Sequence, residues 1–288
     1  TNIRYKMNEK ETKQKLNTKE ENTWCPGCPN FFILESAKQA IAKLIASGKY
    51  KHEDFSMTTG IGCHAKIYDY INISGIYGLH GRVIPTCLGM TLGNPNLTVL
   101  GFAGDGDTYA EGMGHFIHAC RYNADMTLFV HDNQSFSLTT GQATPTSQQG
   151  FKTKAEPLGE FNRPINPVKL ALTSGATFVA RADAKNIKQT ATIMEKAIKH
   201  KGFSFVEIIQ DCLIFNIKAN STDEKMYAIE DNHEKGKAEK LAEEWDYNLR
   251  EGKIPLGVIY QTSDVLTLDQ EWPQLKDLKE KGVGWKNK

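Results

Sequence analysis

Apolar residues follow two different spacings along the middle of the chain. Four runs are apolar on both faces, as in strands buried inside a sheet: Leu97–Ala103, Met126–His131, Ala176–Arg181 and Phe203–Ile209. Elsewhere apolar residues recur every three or four positions, which predicts a helix capped by Asn30 and others over Ala110–Tyr122 and Ala184–His200. Strands that alternate with helices are typical of α/β proteins. We therefore predict a parallel sheet with helices on both faces.

The two ends of the chain do not share this pattern. Residues 1–23 are highly charged and hold few apolar side chains. Such a segment buries too little surface to offset its ordering entropy, which predicts a flexible polar arm. Residues 24–265 form the predicted α/β domain, with a late solvated helix over 232–251. Residues 266–288 lack a clear period and are predicted to be a C-terminal tail.

Charge and hydropathy exclude several classes of protein. The 35 Lys and Arg residues nearly balance the 34 Asp and Glu residues, which gives a formal net charge of +1. This balance provides no field that would attract nucleic acid or an anionic membrane. We find no apolar run near the roughly 18 residues of a membrane span, and no signal-peptide pattern. We expect a cytoplasmic protein that binds neither nucleic acid nor membranes.

Oxygen-bearing side chains follow two neighbouring predicted strands. Gly104-Asp105-Gly106-Asp107 follows the first, and Asp132-Asn133 ends the second. The carboxyl ends of parallel strands are where such sheets bind ligands. A carboxylate and an amide oxygen suit Mg²⁺, and the glycines let a diphosphate approach the backbone. An ordinary turn is the alternative, but the order of these residues across one strand–helix–strand unit matches the thiamine diphosphate motif.

Six cysteines are too few for a disulfide scaffold in a chain of this length. Cys25 and Cys28 form a Cys-x-x-Cys pair, which alone is consistent with a redox dithiol or with reduced structural thiols. With Cys63 and Cys212, the pair could bind a [4Fe–4S] cluster or Zn²⁺, and the spacing does not choose between them. We expect the remaining two cysteines, Cys87 and Cys120, to be packed thiols.

Six motifs taken together resemble one family. In order, they are Trp24-Cys25-Pro26-Gly27-Cys28, Gly60-Ile61-Gly62-Cys63, His80-Gly81-Arg82, Gly104-Asp105-Gly106-Asp107, Asp132-Asn133-Gln134 and Leu138-Thr139-Thr140-Gly141-Gln142. From about residue 22 to 262, the chain resembles the β subunits of 2-oxoacid:ferredoxin oxidoreductases. The resemblance implies a thiamine diphosphate-binding fold of the PP type. It also implies coenzyme A-dependent oxidative decarboxylation of a 2-oxoacid, of the pyruvate or 2-oxoglutarate class, with ferredoxin as electron acceptor.

The resemblance also assigns roles to individual residues. The implied ligands of one [4Fe–4S] cluster are Cys25, Cys28, Cys63 and Cys212, and the implied Mg²⁺ ligands are Asp105, Asn133 and the carbonyl of Ser135. The implied thiamine diphosphate contacts are Ile61, Gly62, Cys63, His64, His80, Gly104, Asp105, Gly106, Asp107, Asn133, Ser135, Ser137 and Leu138. Lys66 matches a basic residue near the thiazolium that suits the substrate carboxylate, and His64 matches a position that lines the cofactor. Both are candidate catalytic residues.

Three positions depart from the family pattern, and two of them, Thr140 and His64, leave the substrate open. Pro29 stands where the family usually has Gly, Thr140 where many members have Lys, and His64 where Ser is common. Thiamine enzymes also need a carboxylate on the aminopyrimidine ring, for which a chain with one α/β unit has no room. We therefore expect a separate α subunit to complete the active site. One alternative is a subunit of a non-redox thiamine diphosphate-dependent decarboxylase, and a second is a non-catalytic binding or scaffold subunit.

Overall fold

A computed structural model of the protein describes residues 8–217, 223–248 and 252–283. Eight strands form one sheet in the order β2-β1-β3-β4-β6-β5-β8-β7. The strands are β1 (Phe55–Thr59), β2 (Ser74–Tyr77), β3 (Thr98–Gly104), β4 (Met126–Asp132), β5 (Phe178–Asp183), β6 (Phe203–Ile209), β7 (Met226–Ala228) and β8 (Ile254–Gln261). All neighbouring pairs are parallel except β5 and β8. The predicted α/β class is therefore confirmed.

Helices cover both faces of the sheet. They are α1 (Glu9–Lys15), α2 (Asn30–Ala46), α3 (Ile67–Tyr70), α4 (Val83–Gly93), α5 (Met113–Tyr122), α6 (Pro167–Thr173), α7 (Ile187–Lys199), α8 (Lys235–Glu243), α9 (Leu268–Glu271) and α10 (Pro273–Lys281). One apolar core contains side chains of α2, α3 and α7, and a second contains side chains of α4, α5, α6 and α8. The predicted helices on both faces are confirmed.

Helix α2 begins one residue earlier than the sequence pattern predicted. Asn30 is its first residue, Pro29 precedes it, and no side chain caps the helix. The Asn30 side chain instead contacts Cys28 and His131. The predicted capping role of Asn30 is wrong, because the buried histidine and the cysteine occupy its polar atoms.

The described part of the N-terminal segment differs from the flexible arm that we predicted. Residues 9–15 form α1, which Asn8 and Glu11 close with a capping box. Leu16 is fully buried in the core, and Asn17 pairs with Ile71. The burial of Leu16 and the capping of α1 order this segment, although its high charge predicted a flexible arm. Residues 1–7 lie outside the described residues.

The C-terminal region also contains helices that its sequence did not predict. Residues 268–281 form α9 and α10, with Leu275 buried. The late helix predicted over residues 232–251 is shorter, since α8 covers Lys235–Glu243 and residues 249–251 lie outside the described residues. Among the helices that can be described, none is long and apolar enough to cross a membrane.

A fully buried ion pair joins β5, β6 and the segment after α8. Arg181 Nε donates to Glu207 Oε2 over 2.7 Å, and both side chains are inaccessible to solvent. The hydroxyl of Tyr247 donates to Glu207 and accepts from Arg181 Nη2. The Arg181 guanidinium also lies over the ring of Trp245. This cluster fixes the chain after α8 against the sheet.

Candidate cofactor site

A pocket lies beyond the carboxyl ends of β1, β3 and β4. Its empty volume, which includes open solvent at the mouth, is about 630 Å³. The structure brings all thirteen predicted thiamine diphosphate contacts into its lining: Ile61, Gly62, Cys63, His64, His80, Gly104, Asp105, Gly106, Asp107, Asn133, Ser135, Ser137 and Leu138. It adds His131, Phe136, Thr139 and Gln210, which the sequence did not indicate. This position agrees with the rule that open parallel sheets bind ligands at the ends of their strands.

Asp105 lies at the base of the pocket, directly after β3. Its Oδ2 atom accepts hydrogen bonds from Thr144 Oγ1 (2.6 Å) and Thr146 Oγ1 (3.0 Å). Burial raises the pKa of this carboxyl to about 6, although the two hydroxyls act in the opposite direction. Because burial disfavours the carboxylate, a nearby cation would stabilise it.

The turn after β4 presents Asn133 and Ser135 to the same pocket. Asn133 Oδ1 accepts from the Ser135 backbone N–H over 3.0 Å, which closes a tight turn around Gln134. Gln134 has a φ of 53°, in the left-handed region. Its carbonyl accepts from Ser147 Oγ and from Asn216 Nδ2. These bonds fix the two oxygen-bearing residues next to Asp105.

Asp107 forms a buried charged group with two histidines. His80 Nδ1 lies 2.9 Å from Asp107 Oδ1, and His64 Nε2 lies 3.2 Å from Oδ2. The Gly81 backbone N–H also donates to Oδ1. Burial opposes ionisation, but these partners together hold the pKa of Asp107 well below its usual value. The bond to Asp107 raises the pKa of His80, which favours a positive charge at the pocket wall.

Glycines keep the base of the pocket open. A Cβ atom on Gly106 would overlap the ring of Phe136, and one on Gly104 would lie 2.7 Å from His64 Nδ1. At Gly60, a Cβ atom would overlap the Asp107 carboxylate. Backbone therefore takes positions that side chains could not, as expected where a ligand approaches a helix N-terminus.

Four cysteines lie beside the pocket, and all are free thiols. Burial raises the pKa of Cys63 to about 11, and the nearby thiols of Cys28, Cys212 and Cys25 raise it further, against a lowering by Lys66. Burial also raises the pKa of Cys28, with smaller contributions from Cys25 and Cys212. Each of the four predicted ligands therefore lies near at least two of the others. Cys87 and Cys120 are buried in the core, as predicted for packed thiols.

Within residues 8–217, 223–248 and 252–283, no group of three or more His, Cys, Asp and Glu side chains is arranged to hold a metal ion. This finding does not bear on the predicted Mg²⁺ ligands, which are one carboxylate, one amide and one backbone carbonyl. For the cysteines, the finding means that the four thiols lie near one another but are not arranged around one metal ion. Both metal assignments stay predictions.

Lys66 does not line the pocket. Its Nζ atom donates to Thr23 Oγ1 over 3.0 Å and to the Thr23 carbonyl over 3.3 Å. His64, the other candidate catalytic residue, is buried and lies in the lining. The structure therefore places His64 in the pocket lining and leaves Lys66 outside it.

Comparisons with known proteins agree with this geometry. Residues 60–208, slightly more than half of the chain, match the family described as thiamine pyrophosphate enzyme, C-terminal TPP binding domain. The 2-oxoacid:ferredoxin oxidoreductase subunit beta of Saccharolobus solfataricus is 39% identical over 87% of this chain and 85% of its own length. The chain belongs to this family of β subunits.

Two further comparisons point to the same oxidoreductase family. The 2-oxoglutarate synthase subunit KorB of Archaeoglobus fulgidus is 38% identical over 66% of this chain and 69% of its own length. A solved 2-oxoglutarate:ferredoxin oxidoreductase from Magnetococcus marinus, with 2-oxoglutarate, coenzyme A and succinyl-CoA bound, superposes with a TM-score of 0.85. That match has 32% identity and covers 99% of this chain and 94% of the other. The PP-type fold implied by the resemblance is thereby confirmed.

The sequence did not indicate the residues that hold Asp105 and the turn after β4 in place at the oxidoreductase site. Thr144 and Thr146 anchor Asp105, and Ser147 anchors the turn after β4. They belong to a Thr-Pro-Thr-Ser segment outside any regular element. The only signal was a cluster of hydroxyl residues soon after the Leu-Thr-Thr-Gly-Gln motif, and hydroxyl clusters are common in loops.

Proposed function

We propose that this chain is the β subunit of a 2-oxoacid:ferredoxin oxidoreductase that binds thiamine diphosphate, Mg²⁺ and a [4Fe–4S] cluster. With an α subunit, it would catalyse the coenzyme A-dependent oxidative decarboxylation of a 2-oxoacid of the pyruvate or 2-oxoglutarate class. Ferredoxin would accept the electrons. The observation that carries the proposal is the pocket itself, which gathers every predicted thiamine diphosphate contact beside four neighbouring cysteines.

The pocket suits a magnesium-bound diphosphate. Asp105, Asn133 and the Ser135 carbonyl would hold Mg²⁺, which prefers oxygen ligands and commonly shares its shell with phosphates. The Ser135 hydroxyl is buried and has no hydrogen-bond partner among the residues described, so a polar atom remains for a ligand. His80, whose pKa is raised by Asp107, would complement the charge of the diphosphate.

The cysteines suit a cluster in their donor chemistry. Cys25, Cys28, Cys63 and Cys212 offer four sulfurs, the number that a [4Fe–4S] cluster takes from a protein. Trp24 Nε1 donates to the Cys63 carbonyl over 2.6 Å, and the Phe215 N–H donates to Cys212 Sγ over 3.4 Å. These bonds orient two of the four ligands. The second bond also provides a hydrogen-bond donor to a ligand sulfur, and such donors tune the reduction potential of a cluster.

When bound, thiamine diphosphate supplies a nucleophilic carbon and an electron sink for loss of CO₂. The protein's own residues would bind the cofactor and orient it. The glycines after β1 and β3 bring backbone close to the ligand, Asp107 fixes His64 and His80, and Phe136 and Leu138 provide an apolar wall. With the cofactor bound, this apolar wall would limit the access of water and so protect reactive species from side reactions.

The test is an anaerobic assay of the chain purified with its α subunit. Reduction of ferredoxin that depends on coenzyme A together with 2-oxoglutarate or pyruvate would support the proposal, and comparing the two acids would identify the preferred substrate. Decarboxylation without ferredoxin reduction, by protein that contains zinc or no metal, would instead support the non-redox decarboxylase. Absence of thiamine diphosphate binding would contradict both.

A further inference from the structure

Two buried side chains connect the cysteine group to the thiamine diphosphate pocket. His131 Nδ1 lies 2.8 Å from Asn30 Oδ1, and Asn30 Nδ2 lies 3.5 Å from Cys28 Sγ. Asn30 and His131 are each only 1% exposed. His131 also lines the pocket. A continuous path of three polar groups therefore runs from a proposed cluster ligand to the wall of the cofactor site.

The chemistry of the amide determines the direction of each hydrogen bond. Because the Asn30 oxygen only accepts, His131 Nδ1 carries the hydrogen, and the Asn30 NH₂ group faces the sulfur. His131 Nε2 is buried and has no hydrogen-bond partner among the described residues. The ring thus has one nitrogen committed to Asn30, while its other nitrogen is left for a group in the pocket.

Regular structure holds both ends of the path. Asn30 is the first residue of α2, directly after the Cys-x-x-Cys turn. His131 lies in β4 and pairs in register with Gly104 on one side and Ile208 on the other. Its ring contacts the rings of His64 and Phe102. Neither end can move without displacing a buried helix or a central strand.

We propose that Asn30 is a positioning residue that couples the [4Fe–4S] cluster to the thiamine diphosphate pocket, with its amide oriented by His131. The inference rests on the proposed function. An N–H group that donates to a ligand sulfur stabilises the reduced cluster, because reduction adds negative charge to the sulfurs. His131 holds the amide in the orientation that donates. A ligand that engages His131 therefore changes the reduction potential of the cluster without touching it.

The first variant is Asn30→Ala in the full chain, purified anaerobically with the α subunit. We expect the midpoint potential, measured by redox titration with electron paramagnetic resonance, to become more negative. The equilibrium constant for reduction should fall by about tenfold, which for a one-electron couple is about 59 mV. Asn186→Ala is the matched control, since Asn186 also lies at a helix start, but its side-chain oxygen accepts from the Gln189 backbone N–H. Its potential should equal that of the wild type.

The second variant separates coupling from local damage. His131→Phe keeps a ring beside Phe102 but removes the nitrogen that orients Asn30. It should shift the potential in the same direction, although His131 makes no hydrogen bond to any cysteine in the part of the chain described here. In Asn30→Ala with His131→Phe, the shift should match that of Asn30→Ala alone, because both changes remove the same bond.

The possible outcomes separate this inference from the proposed function. If the wild-type complex holds no iron–sulfur cluster, the proposed function fails. If the wild type holds the cluster, but both single variants retain its potential at equal iron content, the inference is overturned and the proposed function stands. Fully additive shifts in the double variant would also overturn it, since they would show that His131 does not act through Asn30. Should Asn30→Ala fail to fold, an unchanged potential in His131→Phe would still decide against the coupling.

Discussion

At the scale of single residues, the site depends on how one carboxylate is held. Asp105 is 3% exposed, and its Oδ2 atom is anchored by the hydroxyls of Thr144 and Thr146. A carboxylate fixed in this way needs no rearrangement when a cation arrives, which favours tight binding. The burial that raises its pKa to about 6 also makes the empty site costly to ionise.

Asp105→Ala should therefore abolish the Mg²⁺-dependent binding of thiamine diphosphate and leave the iron content unchanged. We expect the affinity to fall by at least about 100-fold, the upper range for losing even an indirect metal partner. Calorimetric titration with thiamine diphosphate and Mg²⁺ measures it. Asp125→Ala, at the opposite end of β4, is the control and should bind normally. Equal affinities in the two variants would refute the assignment of Asp105.

Gly106 provides a second test at this scale. Its φ of −63° suits any residue, so Gly106→Ala should fold, but the added Cβ would overlap Phe136. We expect thiamine diphosphate to bind about tenfold to 100-fold more weakly, because small displacements in such sites have effects of this size. Gly114→Ala on α5 meets no atom within 4 Å and should bind normally. If Gly106→Ala also bound normally, the ligand would lie elsewhere.

At the scale of elements, strong apolar patterns predicted the central sheet well. The runs at Leu97–Ala103, Met126–His131 and Phe203–Ile209 became β3, β4 and β6 with boundaries within about one residue, because these strands are buried on both faces. Strand β8 was missed although it is apolar, since Pro255 and Gly257 argue against a strand interior. Strand β2 was missed because it is a short, exposed edge.

A shared glutamate joins α2 and α7, and its charge gives a pH-dependent prediction. Glu195 lies 2.7 Å from Lys43 Nζ and also bonds Lys199. Burial opposes ionisation of Glu195, but the two lysines lower its pKa. A carboxyl with a lowered pKa adds stability above its unfolded pKa, and this contribution is lost as the pH falls through the folded pKa.

Glu195→Gln should therefore lower the free energy of unfolding by about 0.2–1 kcal/mol near neutral pH, the usual range for such pairs. The difference from the wild type should shrink as the pH falls below about 4. Urea denaturation of the wild type and the variant across this range measures it. Glu239→Gln, on the exposed face of α8, is the control. A difference that stayed constant with pH would contradict the electrostatic explanation.

At the scale of the whole molecule, distant segments meet through contacts that the sequence did not reveal. Arg181, Glu207 and Tyr247 form one buried cluster from three separate parts of the chain. No local pattern marks them, since each lies in an apolar or mixed segment. The site residues are different. They follow strand ends in sequence, within motifs that the family resemblance assigns to the cofactor, whereas the supporting hydroxyls depend on tertiary structure.

Breaking the buried ion pair between Arg181 and Glu207 should destabilise the folded protein. Glu207→Gln leaves the Arg181 guanidinium without a countercharge in the core, and we expect a loss of about 3–5 kcal/mol in the free energy of unfolding. Urea denaturation near neutral pH measures the loss. The double variant Arg181→Met with Glu207→Leu removes both charges and should lose less. A double variant less stable than Glu207→Gln would show that the ion pair itself, rather than the unpaired charge, determines the cost.

We expect this chain to hold an iron–sulfur cluster beside its thiamine diphosphate pocket. The most direct test is the amount of iron and acid-labile sulfide per chain in protein purified without oxygen, with its visible spectrum before and after reduction. With the cluster in place, we expect about four of each per chain and bleaching on reduction. Zinc or no metal in protein that still binds thiamine diphosphate would contradict it.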